Sequence, residues 1–461
     1  MTLRALDTHI EMWLIDRLIP YVRNPRKNDL WGSPNPGAPL ITTTRNLPES
    51  GEERISEMRV RSSRREFFAS AATVAAATAM AVEPGRVLAY AGTYSAPAGA
   101  EGAPGRGQGI YLFEMNPATG ALVERAVFPN PDNPSCLALN TSGTRLYAAN
   151  ETATYKGSPS GSVSAYEIER PGGRLKLINT VASEGAGPCH LSLHQSGKWL
   201  FVANYHGGTS AVLPIGANGE LRAASDVQRH DGVIGPGRAA SAPPGSFAWS
   251  GHDRSHSHMI LPDPSGRFVL AADLGLDRIL IWRFDAAAGK LIPNDLPSVA
   301  VAPGDGPRHF AFHPNGRVLY SLQEEGSTLV TFDYDAATGH LKAKQTVSSL
   351  PPGFAGTNYT SEIAISPDAR FVYAANRLHD TIAWFSIAAG GTLRFAGEEP
   401  TGGDYPRFFT FDPYGRFVYC CNQRADAIAS FRVNRKTGAL IPTGQYTPVG
   451  TPSFLAFLVE R

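Results

Sequence analysis

Cysteine is scarce and charge is balanced, and both facts exclude whole classes of protein. Only four cysteines occur in 461 residues (Cys136, Cys189, Cys420 and Cys421), and none are spaced as metal ligands. Cys420 and Cys421 are adjacent and point to opposite faces if they lie in a strand. All four therefore read as small apolar residues, and a disulfide framework is not expected. Net charge is +1, from 42 Lys and Arg against 41 Asp and Glu, which gives no electrostatic footprint for nucleic acid. No Gly-x-Ser-x-Gly elbow occurs, which argues against a serine hydrolase of the α/β type. The glycine-rich stretch from Gly99 to Gly109 lacks a strand-to-helix setting, so it does not read as a nucleotide-binding loop.

What is abundant is turn chemistry. There are 47 glycines and 36 prolines, as expected of many short strands joined by tight turns. One local pattern recurs six times, as SGTRLYAAN, SGKWLFVAN, SGRFVLAAD, NGRVLYSLQ, DARFVYAAN and YGRFVYCCN. Counted from the turn residue (Gly143, Gly197, Gly266, Gly316, Ala369, Gly415), position +7 is Asn150, Asn204, Asp273, Gln323, Asn376 and Asn422. The turn residues are 54, 69, 50, 53 and 46 apart, the size of a four-stranded propeller blade. The unit around Gly316 parses into strands at 309–312, 318–322, 327–334 and 340–347, with a turn at 335–339. The ends hold pieces of one more unit: strands at 87–94, 109–115 and 122–128, and a lone inner strand after Gly450. Splicing them predicts an all-β, seven-bladed β-propeller with four-stranded blades, closed by pairing its N- and C-terminal strands, over residues 87–461.

The segment before the first strand reads as targeting. Ser63-Arg-Arg-Glu-Phe-Phe68 precedes an Ala/Thr/Val run from Ala69 to Ala81, too short to span a bilayer as a helix. A paired arginine, an apolar run and a small-residue site predict a twin-arginine export signal over 58–81, hence a periplasmic or secreted protein that uses the twin-arginine machinery. No stable membrane anchor is expected once the signal is cleaved. Residues 1–57 show no sustained period, and Met58 opens a conventional basic region. We expect 1–57 to be a non-native upstream extension or disordered; a peptide from before Met58 in the native precursor, found by mass spectrometry, would contradict the former.

Two columns of the repeat vary where a structural position would stay constant. At −8 and −7 stand Ser135/Cys136, Cys189/His190, His258/Met259, Arg308/His309, Ser361/Glu362 and Arg407/Phe408. An apparent extra residue in the unit of His258 leaves open its alignment with His190 and His309. At +8 stand Glu151, Tyr205, Leu274, Glu324, Arg377 and Gln423. The +7 residues, being alike, read as turn-bonding structure. Each varied column falls at the expected channel mouth. Arg308, Arg377 and Arg407 suit carboxylate or phosphate oxygens; His190, His258 and His309 can move protons; Glu324 and Glu362 can orient a histidine or share that work. His252, His256 and His258 follow a Gly/Pro/Ser/Ala insertion at about 222–255, long enough for a lid or rim loop. The His256-x-His258 pair could bind a divalent metal, but no third ligand is evident, and no metal or other cofactor is expected.

Gly306-Pro-Arg-His-Phe-Ala-Phe-His-Pro-Asn-Gly-Arg317, Asp273-Leu-Gly-Leu-Asp-Arg278, Asn204-Tyr-His-Gly-Gly208 and Pro400-Thr-Gly-Gly-Asp-Tyr-Pro-Arg407 together resemble the seven-bladed propeller lactonase family. That family includes bacterial propeller-type 6-phosphogluconolactonases and fungal carboxy-muconate lactonizing enzymes, and the resemblance covers about Tyr90 to Leu458. It implies metal-independent chemistry on a small anionic lactone or sugar acid: ring hydrolysis or, alternatively, cycloisomerisation of a muconate-type diacid. It implies catalytic roles for His258, Arg308, Glu324 and Arg377, with His190, His256, His309, Glu362 and Arg407 as substrate-binding candidates. A non-catalytic periplasmic binding propeller is the reading from another class. The export signal departs from the family pattern, because a phosphorylated pentose-pathway lactone is cytoplasmic.

Overall fold

A computed structural model describes residues 85–99, 104–248 and 251–460. The export signal and the upstream stretch, 1–81, lie outside the described residues. The described chain forms seven four-stranded antiparallel sheets. Among the described residues the only helical element is a 3-10 turn at Ala389–Gly391.

We number the blades from the first complete one, which spans 134–182; blades 2 to 6 span 188–229, 257–300, 307–348, 359–400 and 406–448. Blade 4 runs Pro307–Phe312, Val318–Gln323, Thr328–Asp335 and His340–Ser348, within about a residue or two of the parse made from alternation and turns at most of its ends. Blade 7 is the spliced one. The C-terminal strand Pro452–Glu460 pairs antiparallel with Arg86–Thr93, with Tyr90 opposite Ala456. Gly109–Met115 and Leu122–Pro129 complete that sheet.

The strand order follows from the residue pattern. Second strands such as Phe268–Asp273 and Phe417–Asn422 are apolar and buried along their whole length. Outermost strands such as Lys290–Ala300 and His340–Ser348 are polar and largely exposed. Because second strands are covered on both faces, their side chains pack against both neighbouring blades. Seven apolar clusters result, one per blade interface, and Cys420 and Cys421 enter two different ones, as strand alternation requires.

A tyrosine clasp repeats between blades. Tyr90, Tyr147, Tyr320, Tyr373 and Tyr419 each donate a hydroxyl hydrogen bond of 2.6–3.1 Å to a glycine carbonyl in a turn of the next blade. The acceptors are Gly173, Gly219, Gly391, Gly438 and Gly120, all at positive φ, where a side chain would be strained. The turn at 116–120 shows the local chemistry: Asn116 Oδ1 accepts the N–H groups of Ala118 and Thr119.

The +7 residues are structural. They close each second strand, are at most 1% exposed, and bond nearby backbone and hydroxyls. Asn204 Nδ2 donates to Ser183 O at 2.8 Å, and Asn376 Nδ2 to Ser349 O at 2.9 Å.

The insertion begins later than the sequence suggests. Asp226–Arg229 is the fourth strand of blade 2, so the chain leaves the sheet only after Arg229. That strand is short and polar and carries no alternation by which to detect it. Beyond it the chain follows the rim above blades 3 to 5. Gly235 N donates to Gly275 O at 2.9 Å, Ser241 Oγ to Asp305, Gly356 N to Pro244 O at 2.8 Å, and Phe247 N to Thr357 Oγ1 at 2.9 Å.

Candidate active site

In every complete blade the inner strand breaks register with the second strand at one place. Pro134 and Cys136, Pro188 and His190, Ser257 and Met259, Pro307 and His309, and Pro406 and Phe408 are paired, and the residue between them is not. These irregularities leave Ser135, Cys189, His258, Arg308 and Arg407 outside the ladder, and a bulge of this kind re-aims the side chain. In blade 5 the break is longer and frees both Ser361 and Glu362. The −8 column of the sequence is therefore the bulged column. The ladder also resolves the register of His258: Met259 faces Ala272 as His190 faces Ala203, so His258 aligns with Cys189 and Arg308 and no residue is inserted.

Ser135, Cys189, His258, Arg308, Arg407 and Ser453 line one central cavity with Tyr94, Glu151, His190 and His309. Of the −7 column, Cys136, His190, His309 and Phe408 also border this cavity, and Met259 turns between blades. Met259 Sδ accepts Phe310 N, and Phe408 stacks on Phe454 with centroids 4.0 Å apart.

Arg308, at the cavity wall, and Arg377 behind it clamp one carboxylate. Glu324 Oε2 lies 2.8 Å from Arg308 Nε, and its Oε1 lies 2.8 Å from Arg377 Nη2. Both arginines are 2% exposed. Arg308 Nη1 also donates to Ser361 O, and Arg377 Nη2 to Thr360 O at 2.8 Å. Tyr405 supports the clamp from outside the repeat columns: its hydroxyl is 3.3 Å from Arg377 Nη1 and its ring lies 5.1 Å from that guanidinium. Arg407 sits over the ring of Tyr94 at 5.0 Å. Tyr94 and Ser135 both donate to Glu151 Oε2, at 2.9 and 2.6 Å.

This concentration of positive charge acts on the imidazoles. Burial first, and then Arg308, holds His258 well below its ordinary range. Burial and Arg308 do the same to His309. Burial, then His309, takes His190 down to about 3. The three rings are uncharged at neutral pH. They cluster, with His309 5.5 Å from His190 and 5.1 Å from His258. Glu362 is pushed up to about 7 by burial, against the opposing pull of Arg308, and its Oε2 is 3.0 Å from His309 Nδ1.

Other candidates are placed differently. His256 stacks on Tyr205 at 4.2 Å and has both nitrogens engaged, one by Tyr205 O at 3.0 Å and one by Asp253 at 2.7 Å. His252 pairs with Asp277 at 3.1 Å under the rim segment. The His256-x-His258 pair does not converge, and no group of three or more metal-ligating residues is found among the described residues. Cys189, read from sequence as a core residue, instead lies at the cavity with Sγ 4.0 Å from His258 Nδ1. Burial, then Glu151, raises its thiol well above the usual value, so it is protonated.

Ser210, His230 and Asp273 form a second arrangement with the look of a catalytic triad. His230 Nε2 is 2.9 Å from Ser210 Oγ, and its Nδ1 is 2.7 Å from Asp273. All three side chains are sealed from solvent, so this network ties blade 2 to blade 3 and performs no chemistry. A wider cleft between the outer parts of blades 4 and 5 is lined by Arg317, Asp333 and Lys344. There Lys344 is already paired with Asp333 at 2.8 Å.

A seven-bladed propeller whose blades share a fold yet bring serine, cysteine, histidine and arginine from equivalent positions to one cavity has the architecture of a propeller enzyme. The family model "Lactonase, 7-bladed beta-propeller" matches residues 88–457, and the chain belongs to that family. It is 30% identical over 374 residues to the 6-phosphogluconolactonase of Bacillus subtilis, covering 81% of this chain and 99% of that one. It is 32% identical over 316 residues to the 6-phosphogluconolactonase of Pectobacterium carotovorum, covering 68% and 87%. Among solved structures, the periplasmic gluconolactonase of Pseudomonas aeruginosa is 30% identical, with a TM-score of 0.71 over 81% of this chain and all of that one (100%).

Proposed function

We propose that this protein hydrolyses a sugar-acid lactone, of the 6-phosphogluconolactone or gluconolactone class, at the channel mouth and without a metal. The observation that carries the proposal is the buried Arg308–Glu324–Arg377 clamp beside Arg407 and three uncharged imidazoles. Glu324 fixes the guanidiniums of Arg308 and Arg377, so that they meet a substrate already oriented. Arg308 and Arg407 line the cavity and suit the oxyanion that develops as water adds to the lactone carbonyl. An unprotonated imidazole beside them takes the proton of that water, and the family resemblance points to a catalytic role for His258. The proposal takes 87–461 as the working domain and 58–81 as an export signal. The paired arginines Arg64 and Arg65 support export, as does the likeness to a gluconolactonase described as periplasmic.

The test is ring opening by the purified mature protein, followed at pH 7 with δ-gluconolactone and 6-phosphogluconolactone and corrected for spontaneous hydrolysis. We expect acceleration of at least one. Rates equal to buffer with both, or turnover only of a muconate-type diacid, would remove this assignment.

A further inference from the structure

We propose that His309 is the group that takes the proton from the attacking water and returns it to the ring oxygen, with Glu362 as its positioning residue. This rests on the lactonase reading above and assigns the proton transfer within it.

The geometry singles out this pair. Glu362 comes from the longer irregularity of blade 5, which turns its carboxylate across the blade interface to His309 Nδ1, 3.0 Å away. The other oxygen, Oε1, accepts Ile363 N at 2.9 Å, so the carboxylate is held at both ends. His309 lines the cavity, and its Nε2 is buried without a protein partner. An imidazole anchored at Nδ1 by a carboxylate and unengaged at Nε2 is arranged to accept a proton there. The alternatives lack one element or another. Glu324 has both oxygens against guanidiniums. His256 has both nitrogens engaged. No carboxylate is paired with His258 among the described residues, so nothing equivalent sets its tautomer.

The step balances within the site. Water gives one proton to His309 Nε2 while its oxygen bonds to the lactone carbonyl carbon, and the carbonyl electron pair moves to the oxygen facing Arg308 and Arg407. Collapse of that oxyanion breaks the ring C–O bond, and the proton on Nε2 passes to the departing alkoxide. The product is the open hydroxy acid, and His309 ends as it began.

The groups facing the pair are His190, His258, Arg308, Arg377, Arg407 and Glu324. Burial and this positive field keep the resting imidazole neutral, while Glu362 changes charge near pH 7. Its raised value means that the carboxylate form, which accepts the Nδ1 proton and leaves Nε2 as a lone pair, prevails above that pH. Below it, protonated Glu362 donates to Nδ1 and moves the imidazole proton to Nε2, where it blocks the reaction.

The test compares wild type with Glu362→Gln and His309→Gln. In wild type, kcat should rise through about pH 7. Glu362→Gln should lose that rise and about 10- to 100-fold in kcat, with KM and thermal midpoint little changed. His309→Gln should lose about 10²- to 10⁴-fold in kcat. Nitrogen NMR of His309, assigned by difference against His309→Gln, should show the Nδ1–H tautomer above that pH and the Nε2–H tautomer below it. A Glu362→Gln protein that keeps the rise, or a His309→Gln protein with near wild-type kcat, overturns the proposal while lactonase activity stands. A wild type that opens no lactone overturns the lactonase reading and this role together, whatever the tautomer does.

Discussion

Arg308→Ala is expected to lower kcat on the preferred lactone by about 10²- to 10³-fold, the usual cost of removing one oxyanion donor. It should also destabilise the fold, because Glu324 would keep only Arg377 as a counter-charge while remaining 9% exposed. Removing one partner of a buried ion pair costs about 3–5 kcal/mol. The two effects must be separated, and Arg308→Lys does so. Lysine keeps the positive charge but cannot reach Glu324 and Ser361 O together from one planar fork. We expect Arg308→Lys to melt close to wild type and still lose most of its kcat. Steady-state kinetics with a thermal melt of each variant checks this. An Arg308→Lys enzyme with wild-type turnover would remove the oriented guanidinium from the mechanism.

The second large effect concerns closure of the ring. Ending the chain after Gly450 deletes Pro452–Glu460, the inner strand of blade 7. Arg86–Thr93 would then present an unpaired edge along its length, and the buried side chains of Leu455 and Leu458 would be lost from two blade interfaces. The Arg86–Glu460 ion pair would go with the strand, and the partly exposed Arg86–Glu114 pair joins only strands that remain, so it cannot replace the lost edge. We expect the truncated protein to aggregate and to show no cooperative unfolding, while removal of 1–81 leaves a soluble protein with a sharp transition. Soluble yield and differential scanning calorimetry of both report it. A monomeric truncated protein with an unchanged midpoint would mean that the termini do not close the ring.

The architecture was legible because each blade spends the same residues on the same tasks. Gly143 and its counterparts turn the chain, the strand after them is apolar, and Asn150 and its counterparts end it. Splicing the two ends into a seventh blade needed only a count of the strands left over, and Tyr90 opposite Ala456 is that splice. The varied columns pointed to the channel for the same reason, since they were the places where equivalent blades differ.

What stayed hidden has a physical cause in each instance. Tyr94 and Ser453 reach the cavity from the spliced blade, whose inner strand lies far along the chain from its second, so no repeat column contained them. Tyr405 lies in a connection just before its inner strand, at φ 63°; Asn133, Gly187, Gly306 and Thr451 take the same place in their blades at positive φ, but none of these four carries a ring to mark the position. The pairing of His309 with Glu362 crosses a blade interface and depends on a two-residue irregularity that letters alone do not show. The insertion was drawn too wide because Asp226–Arg229 is an outer, polar strand with no burial to imprint a pattern. His256 drew attention by its spacing to His258, yet His256 precedes the strand and His258 is bulged out of its ladder, so the two rings go to different partners.

The claim that the varied channel residues form a site for a sugar acid is tested most directly by a crystal structure with gluconate, the product of gluconolactone hydrolysis. The account predicts its carboxylate against Arg308 and Arg407, within hydrogen-bond distance of both, with His309 Nε2 facing the carboxyl carbon. Gluconate bound only outside the channel, for instance in the cleft of Arg317 and Lys344, or absent from the channel at saturating concentration, would contradict it.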